Sequence, residues 1–310
     1  FYQPITNACL KTTPTKEQQD VIDHEDGPAL GLARPGTGKT HVVVERVKKL
    51  IEQNVDEDKI LCVTFTEKAT EEMQNRLADM GNMDTKVSTF HAFCKEVCED
   101  HLLESGISTD SKLLKETSLQ VWCMQNSDRF GIDPDVIELG KDNASLFKGI
   151  VQAISNFKES LITSSEFQTW LDAKSDEINK MSGDERVNNA ELIEYVRYHI
   201  EFNKVYAGYE KFQKDNNVYD FDDLIKKATD LLKNNSLVLN SYTQKYKYIL
   251  VDEFQDNNFG QYELVRLLGQ NGNVMVVGDD NQLVMRFQGA RQANFADRKS
   301  TRLNSSHVLI

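Results

Sequence analysis

Two short stretches of this chain combine residue types and spacings suited to phosphate chemistry. Residues Ala33–Thr40 read ARPGTGKT, a glycine-rich turn that ends in Lys39 and Thr40. Gly36 and Gly38 can adopt backbone conformations that turn successive N–H groups onto phosphate oxygens. A helix starting at Lys39 would bring the positive end of its dipole to the same point. Lys39 would then reach the β and γ phosphates of a nucleoside triphosphate, and the Thr40 hydroxyl would ligate Mg²⁺. About 210 residues downstream, Ile249–Asp256 reads ILVDEFQD, an apolar run ending in an acidic pair. Asp252, at a strand's carboxyl end, would hold the metal through water, and Glu253 would orient or deprotonate an attacking water. Together the two stretches point to binding and hydrolysis of ATP, with Mg²⁺ as the cofactor.

The elements that must position these residues can be read from apolar periodicity. ALGLA (Ala29–Ala33) predicts a short strand entering the glycine turn, with a helix from about Lys39 to Glu52. KILCVTF (Lys59–Phe65) predicts a buried strand, followed by a helix through Met73 and Leu77. KVSTF (Lys86–Phe90) predicts a third strand, feeding a helix that begins near His91. Buried strands alternating with helices predict a doubly wound parallel α/β sheet. From about Ser105 to Asn203 the pattern is helical, polar and acidic, with no convincing strand. A long helix near Leu192–Lys214 then leads to two more central strands, in KYILVDE (Lys247–Glu253) and NVMVVGD (Asn273–Asp279). The expected architecture is therefore one sheet domain interrupted by an inserted helical subdomain.

Composition bounds the partners. The 310 residues carry a net charge of −13, which does not favour a nucleic-acid partner, since phosphate backbones attract basic surfaces. Residues 92–204 hold 12 Lys+Arg against 21 Asp+Glu, so most of the excess acidity lies in the middle segment and a local groove elsewhere can still be positive. No apolar run is long enough to span a membrane, and no basic-then-apolar leader opens the chain. Cys9, Cys62, Cys94, Cys98 and Cys123 are few and odd in number, which fits a reducing, cytoplasmic setting. The first residue is Phe1 rather than Met, so the amino terminus is expected to be incomplete. His91, Cys94, Cys98 and His101 look like metal ligands, but along one helix His91 and His101 lie about 15 Å apart and cannot converge on one ion. Core cysteines beside an outward-facing histidine are expected there.

With these motifs in place, the chain resembles the amino-terminal half of UvrD/Rep/PcrA-type superfamily 1 DNA helicases, from about Thr13 to Ala296. That resemblance implies a RecA-like sheet of the phosphate-loop NTPase kind carrying a helical insertion. It divides the chain into residues 1–104 and 205–296 for the motor domain and 105–204 for the insertion. KEQQDVI (Lys16–Ile22) is similar to the family's Q motif, which implies that Gln18 reads the adenine edge. The nucleotide set it implies is Gln18 with Ala33, Arg34, Pro35, Gly36, Thr37, Gly38, Lys39, Thr40 and His41. His41 stands where the family often has an arginine packed on adenine. ILCVTFTEKATEEM (Ile60–Met73) resembles motif Ia, implying that Phe65 and Thr66 touch single-stranded DNA. STFHAF (Ser88–Phe93) resembles motif Ib, which puts Thr89, Phe90 and His91 near the strand. YDFDDL (Tyr219–Leu224) resembles a further family element. VVGDDNQLVMRFQGA (Val276–Ala290) resembles motif III, in which Gln282 would sense the γ-phosphate and Phe287 would contact DNA. Met285 and Gln288 depart from the family's usual Tyr and Arg. Aromatics such as Phe65 and Phe287 would offer faces on which bases stack without regard to sequence.

The activity implied is ATP-driven 3′-to-5′ translocation on single-stranded DNA, with unwinding at duplex junctions. A helicase–nuclease of the RecB/AddA kind, or a nucleotide- and DNA-binding module with little turnover, is the alternative. In the family a second motor domain supplies arginines to the ATP site, and none of its motifs is found in these residues. Asp297–His307, DRKSTRLNSSH, resembles a translated sequencing adapter, with Val308–Ile310 reading on into its index. Residues 297–310 are therefore expected to be artefactual.

Overall fold

The central strands form because their sequences are apolar on both faces, as burial between two helical layers requires. In the computed structural model, which describes residues 14–34, 36–82, 84–114, 116–137 and 144–279, helix α1 (Lys16–Ile22) leads into strand β1 (Ala29–Leu32). Helix α2 (Lys39–Glu52), strand β2 (Ile60–Thr64), helix α3 (Glu67–Asp79), strand β3 (Lys86–Thr89) and helices α4 (Phe90–Asp100) and α5 (Leu102–Ser105) follow. A two-residue strand, β4 (Lys112–Leu113), precedes the helices α6 (Glu116–Asn126), α7 (Ala144–Glu159), α8 (Ser164–Lys180), α9 (Gly183–Asn188) and α10 (Ala190–Asp215). The chain then returns through β5 (Val218–Tyr219), α11 (Phe221–Asn234), α12 (Ser236–Lys245), β6 (Tyr248–Val251), α13 (Phe259–Leu268) and β7 (Val274–Gly278).

The main sheet has the order β1-β7-β6-β2-β3, and every pairing in it is parallel. All its carboxyl ends therefore lie along one edge, where α/β sheets bind ligands. The period-2 alternation of strands sorts the side chains into two layers. Ile60, Cys62, Leu250, Met275 and Val277 join the cluster of α1, α2 and α3 with Val43, Val47, Met73 and Leu77. Leu61, Val63, Ile249 and Val251 face the opposite cluster, with Phe90, Phe93, Leu224, Leu232 and Leu264 from α4, α11 and α13. Cys94 and Cys98 are fully buried in that second layer, and burial pushes the Cys98 thiol up to about 12. They are core residues.

A third cluster belongs to the helical region. Cys123, Phe147, Ile154, Phe167, Phe202 and Tyr206 pack together from α6, α7, α8 and α10. The segment is not strand-free as expected, since Lys112–Leu113 pairs in parallel with Val218–Tyr219. Two residues are too few for periodicity to reveal. The expected division at residue 204 falls inside α10, which runs unbroken from Ala190 to Asp215. A buried ammonium ties the helices to the sheet: Lys158 of α7 lies 2.7 Å from both Asp220 and Asp223, the capping pair of α11, and donates to Gln213 at 3.1 Å. Among the described residues, no helix is long and apolar enough to cross a membrane.

Candidate nucleotide-binding and hydrolysis site

The glycine turn sits at the carboxyl end of β1. Gly36 (φ 77°) and Gly38 (φ 86°) both occupy the left-handed region, which a side chain disfavours. Thr37 closes the turn by donating its hydroxyl to the Arg34 carbonyl at 2.7 Å. Gln18 braces it from α1: its Nε2 donates to the Thr37 carbonyl at 2.7 Å while its Oε1 accepts from the Thr15 N–H at 2.8 Å. One N–H of the Gln18 amide remains for another acceptor. Gly38 caps α2, so the orphan N–H groups of that helix open toward the turn. Ala33 continues the sheet by donating its N–H to the Gly278 carbonyl at 2.9 Å, while Arg34, Gly36 and Thr37 are exposed. The Cβ of His41 lies beside Gly38, and its ring Nε2 is buried without a hydrogen-bond partner among the described residues. Pro35 lies outside those residues.

The acidic pair meets this turn across the sheet edge. The Thr40 hydroxyl donates to Asp252 Oδ2 at 2.7 Å, and Lys39 Nζ lies 3.3 Å from Glu253 Oε2. Residues 212 apart in sequence are thus brought into hydrogen-bond contact. Burial pushes the Asp252 carboxyl above its ordinary value, against the stabilising hydrogen bond from Thr40. A hydroxyl and a carboxylate so close together make a hard-oxygen donor set that fits Mg²⁺, and a divalent charge there would relieve the desolvated carboxylate. Glu253 is held at φ 49°, a left-handed conformation rare for a residue with a side chain.

A residue that had no sequence-derived role, Gln255, completes the cluster. Gln255, only 4% exposed, donates Nε2 to Glu253 Oε2 at 2.6 Å and to Asp256 Oδ2 at 3.2 Å. Its Oε1 accepts the backbone N–H of Asp279 at 2.9 Å. Gln255 is in ILVDEFQD itself, but its partner is 24 residues away, a separation that local pattern does not reveal.

The residues expected near DNA follow the same carboxyl edge. Phe65 directly follows β2 and is 45% exposed. Thr66 and Thr89 cap α3 and α4, their hydroxyls accepting from Ala69 and Ala92 at 3.1 and 3.2 Å. His91 lies edge-on to Phe221, with ring centroids 5.9 Å apart, and burial lowers its pKa below the usual histidine value. Phe90 is a correction. It is 2% exposed and packs into the core with Phe93, Cys94 and Val97, so its ring is not available to a DNA strand. The i, i+3, i+4, i+7 spacing of those four residues was the available signal. Gln282, Met285, Phe287 and Gln288 lie outside the described residues, as does the stretch 297–310.

A parallel sheet with a glycine-rich phosphate turn after one strand and an acidic pair after another defines a nucleotide-binding α/β domain. The profile described as "UvrD/REP helicase N-terminal domain" matches residues 14–302, and the chain belongs to that family. The match continues past Ala296, beyond the stretch over which the motifs carry the resemblance. The chain is 32% identical over 290 residues to "ATP-dependent DNA helicase Rep" of Buchnera aphidicola subsp. Baizongia pistaciae, covering 92% of the chain and 38% of that relative. It is 32% identical to "ATP-dependent DNA helicase Rep" of Escherichia coli, over 89% of the chain and 37% of the relative. For "ATP-dependent DNA helicase PcrA" of Bacillus subtilis the identity is 30%, over 94% and 36%. The chain thus spans little more than a third of the length of these relatives.

Proposed function

We propose that this chain is the nucleotide-binding portion of an ATP-driven DNA helicase, moving 3′-to-5′ on single-stranded DNA and opening duplex junctions. The observation that carries the reading is the contact across the sheet edge, Thr40 on Asp252 and Lys39 on Glu253. Lys39 and the N–H groups of the glycine turn hold the β and γ phosphates, and Gln18 and His41 lie on the adenine side. Thr40 and Asp252 hold Mg²⁺, which neutralises charge on the phosphates when bound. Glu253 takes the proton of the attacking water, and Gln282 senses the γ-phosphate. Phe65, Thr66, Thr89, His91 and Phe287 line the DNA path. The helices of the middle segment form an insertion, drawn from the sequence as residues 105–204, in a protein acting in the cytoplasm. The helicase–nuclease alternative is not favoured, since the relatives quoted above bear helicase names.

The test is ATP hydrolysis by the complete gene product with Glu253→Gln. Turnover stimulated by single-stranded DNA is expected to fall about 10²–10⁴-fold while nucleotide binding persists, because a positioned base contributes that much. Unchanged turnover in the variant would remove Glu253 from the mechanism. A wild type that binds DNA and ATP without turnover would favour the binding-module reading.

A further inference from the structure

We propose that Gln255 is a positioning residue for Glu253, holding the carboxylate in place and tying it to the end of β7. The proposal rests on the hydrolase reading above. Its basis is the direction of each hydrogen bond. The Asp279 N–H can only donate, so it fixes Gln255 Oε1 as the acceptor at 2.9 Å. The amide nitrogen must then face the other way, toward Glu253 Oε2 at 2.6 Å, where an ionised carboxylate can only accept. The amide has no freedom to flip without breaking both contacts. Gln255 is itself almost wholly buried and follows a residue pair whose backbone already turns sharply at Glu253.

The contact matters because, among the described residues, the Glu253 carboxylate otherwise meets Lys39 alone, at 3.3 Å. When Lys39 turns to a phosphate, that partner is withdrawn. Gln255 retains the carboxylate, so the glutamate keeps one orientation toward the water while the lysine changes hands. The second arm of the amide has a further consequence. Asp279 directly follows β7, so the same amide that holds Glu253 is tied to the carboxyl end of that strand.

The experiment measures ATP turnover of the complete gene product carrying Gln255→Leu and Gln255→Glu, with Lys39→Ala as control. Gln255→Leu is expected to lower kcat about 10–100-fold with KM for ATP changed less than about threefold, as loss of orientation does. Gln255→Glu is nearly isosteric and keeps the acceptor for Asp279, so it preserves folding while placing a second carboxylate against Glu253. It replaces the donor to Glu253 by a second acceptor, so its kcat is expected to fall about 10–100-fold as well, with KM for ATP again changed less than about threefold. A merely structural glutamine would leave the kcat of this variant unchanged. Both variants within twofold of wild-type kcat would overturn the proposal. An active wild type with a dead Lys39→Ala control keeps that failure separate from failure of the hydrolase reading. A wild type without turnover removes both.

Discussion

Two lysines in this chain are both buried, yet they are held in opposite ways. Lys158 meets Asp220 and Asp223 at 2.7 Å each and Gln213 at 3.1 Å, and sits 4.8 Å above the Tyr209 ring. Burial works against its charge, but the two aspartates outweigh that and keep the ammonium pKa above its ordinary value. Among the described residues Lys39 has one carboxylate, at 3.3 Å, on a glutamate side chain that is 37% exposed. A fully satisfied buried cation is a structural joint, whereas a buried cation with one loose partner is free to exchange it for a ligand. The difference separates the parts of the molecule built to stay from those built to change.

The paired variants Lys39→Met and Lys158→Met test that contrast directly. Lys39→Met is expected to cut ATP turnover of the complete protein about 10²–10³-fold, the usual loss for a donor aimed at developing charge. Its unfolding free energy should scarcely move, because the glutamate it abandons can be hydrated. Lys158→Met strands two buried aspartates and is expected to cost about 3–5 kcal/mol of stability, read as a lower denaturation midpoint. If the two variants lost stability equally, the distinction between joint and exchangeable partner would fail.

A smaller effect sharpens the same contrast on the DNA side. Phe65 is exposed at the sheet edge, whereas Phe90 is locked in the core. Phe65→Ala should weaken single-stranded DNA binding by about 1–3 kcal/mol, one stacked base, without lowering the melting temperature. Fluorescence anisotropy with a labelled oligonucleotide measures it. An unchanged affinity would place the DNA path elsewhere.

What the sequence disclosed, and what it hid, follows from the range of the interactions. Strands β2, β6 and β7 were legible because burial on both faces demands continuous apolar runs, and α2 was bounded correctly because Gly38 and Lys39 mark its start. The phosphate turn and the acidic pair were legible because each is a local motif. The Lys158 clamp was not, since partners 62 and 65 residues away leave no periodic trace. Nor does the motif YDFDDL announce that Asp220 and Asp223 cap α11 and receive a lysine at once. Phe65 and Phe90 illustrate the remaining ambiguity: both are phenylalanines at strand ends, and only helical context separates them.

The middle carboxylate of that motif supplies the finest test of the joint. Asp222 accepts the Ser155 hydroxyl at 2.6 Å, so it too fastens α7 to α11. Burial raises its pKa to about 6, with the Ser155 hydrogen bond and Lys158 opposing and Asp220 and Glu159 adding to the rise. In the unfolded chain the same carboxyl titrates near the model-peptide value of about 3.9. Between those two values the folded chain holds a proton that the unfolded chain has lost. Stability contributed by this group therefore falls as pH rises through that window, and below it the penalty is absent. Asp222→Asn cannot ionise, yet it keeps an acceptor for Ser155. Its stability relative to wild type should rise from pH 4 to pH 7, by a difference on the order of 1 kcal/mol after allowance for solvent screening. Urea melts of the two proteins across that range decide the matter, and a flat difference would mean that Asp222 is hydrated enough to ionise freely, leaving Lys158 as the joint's one costly charge site.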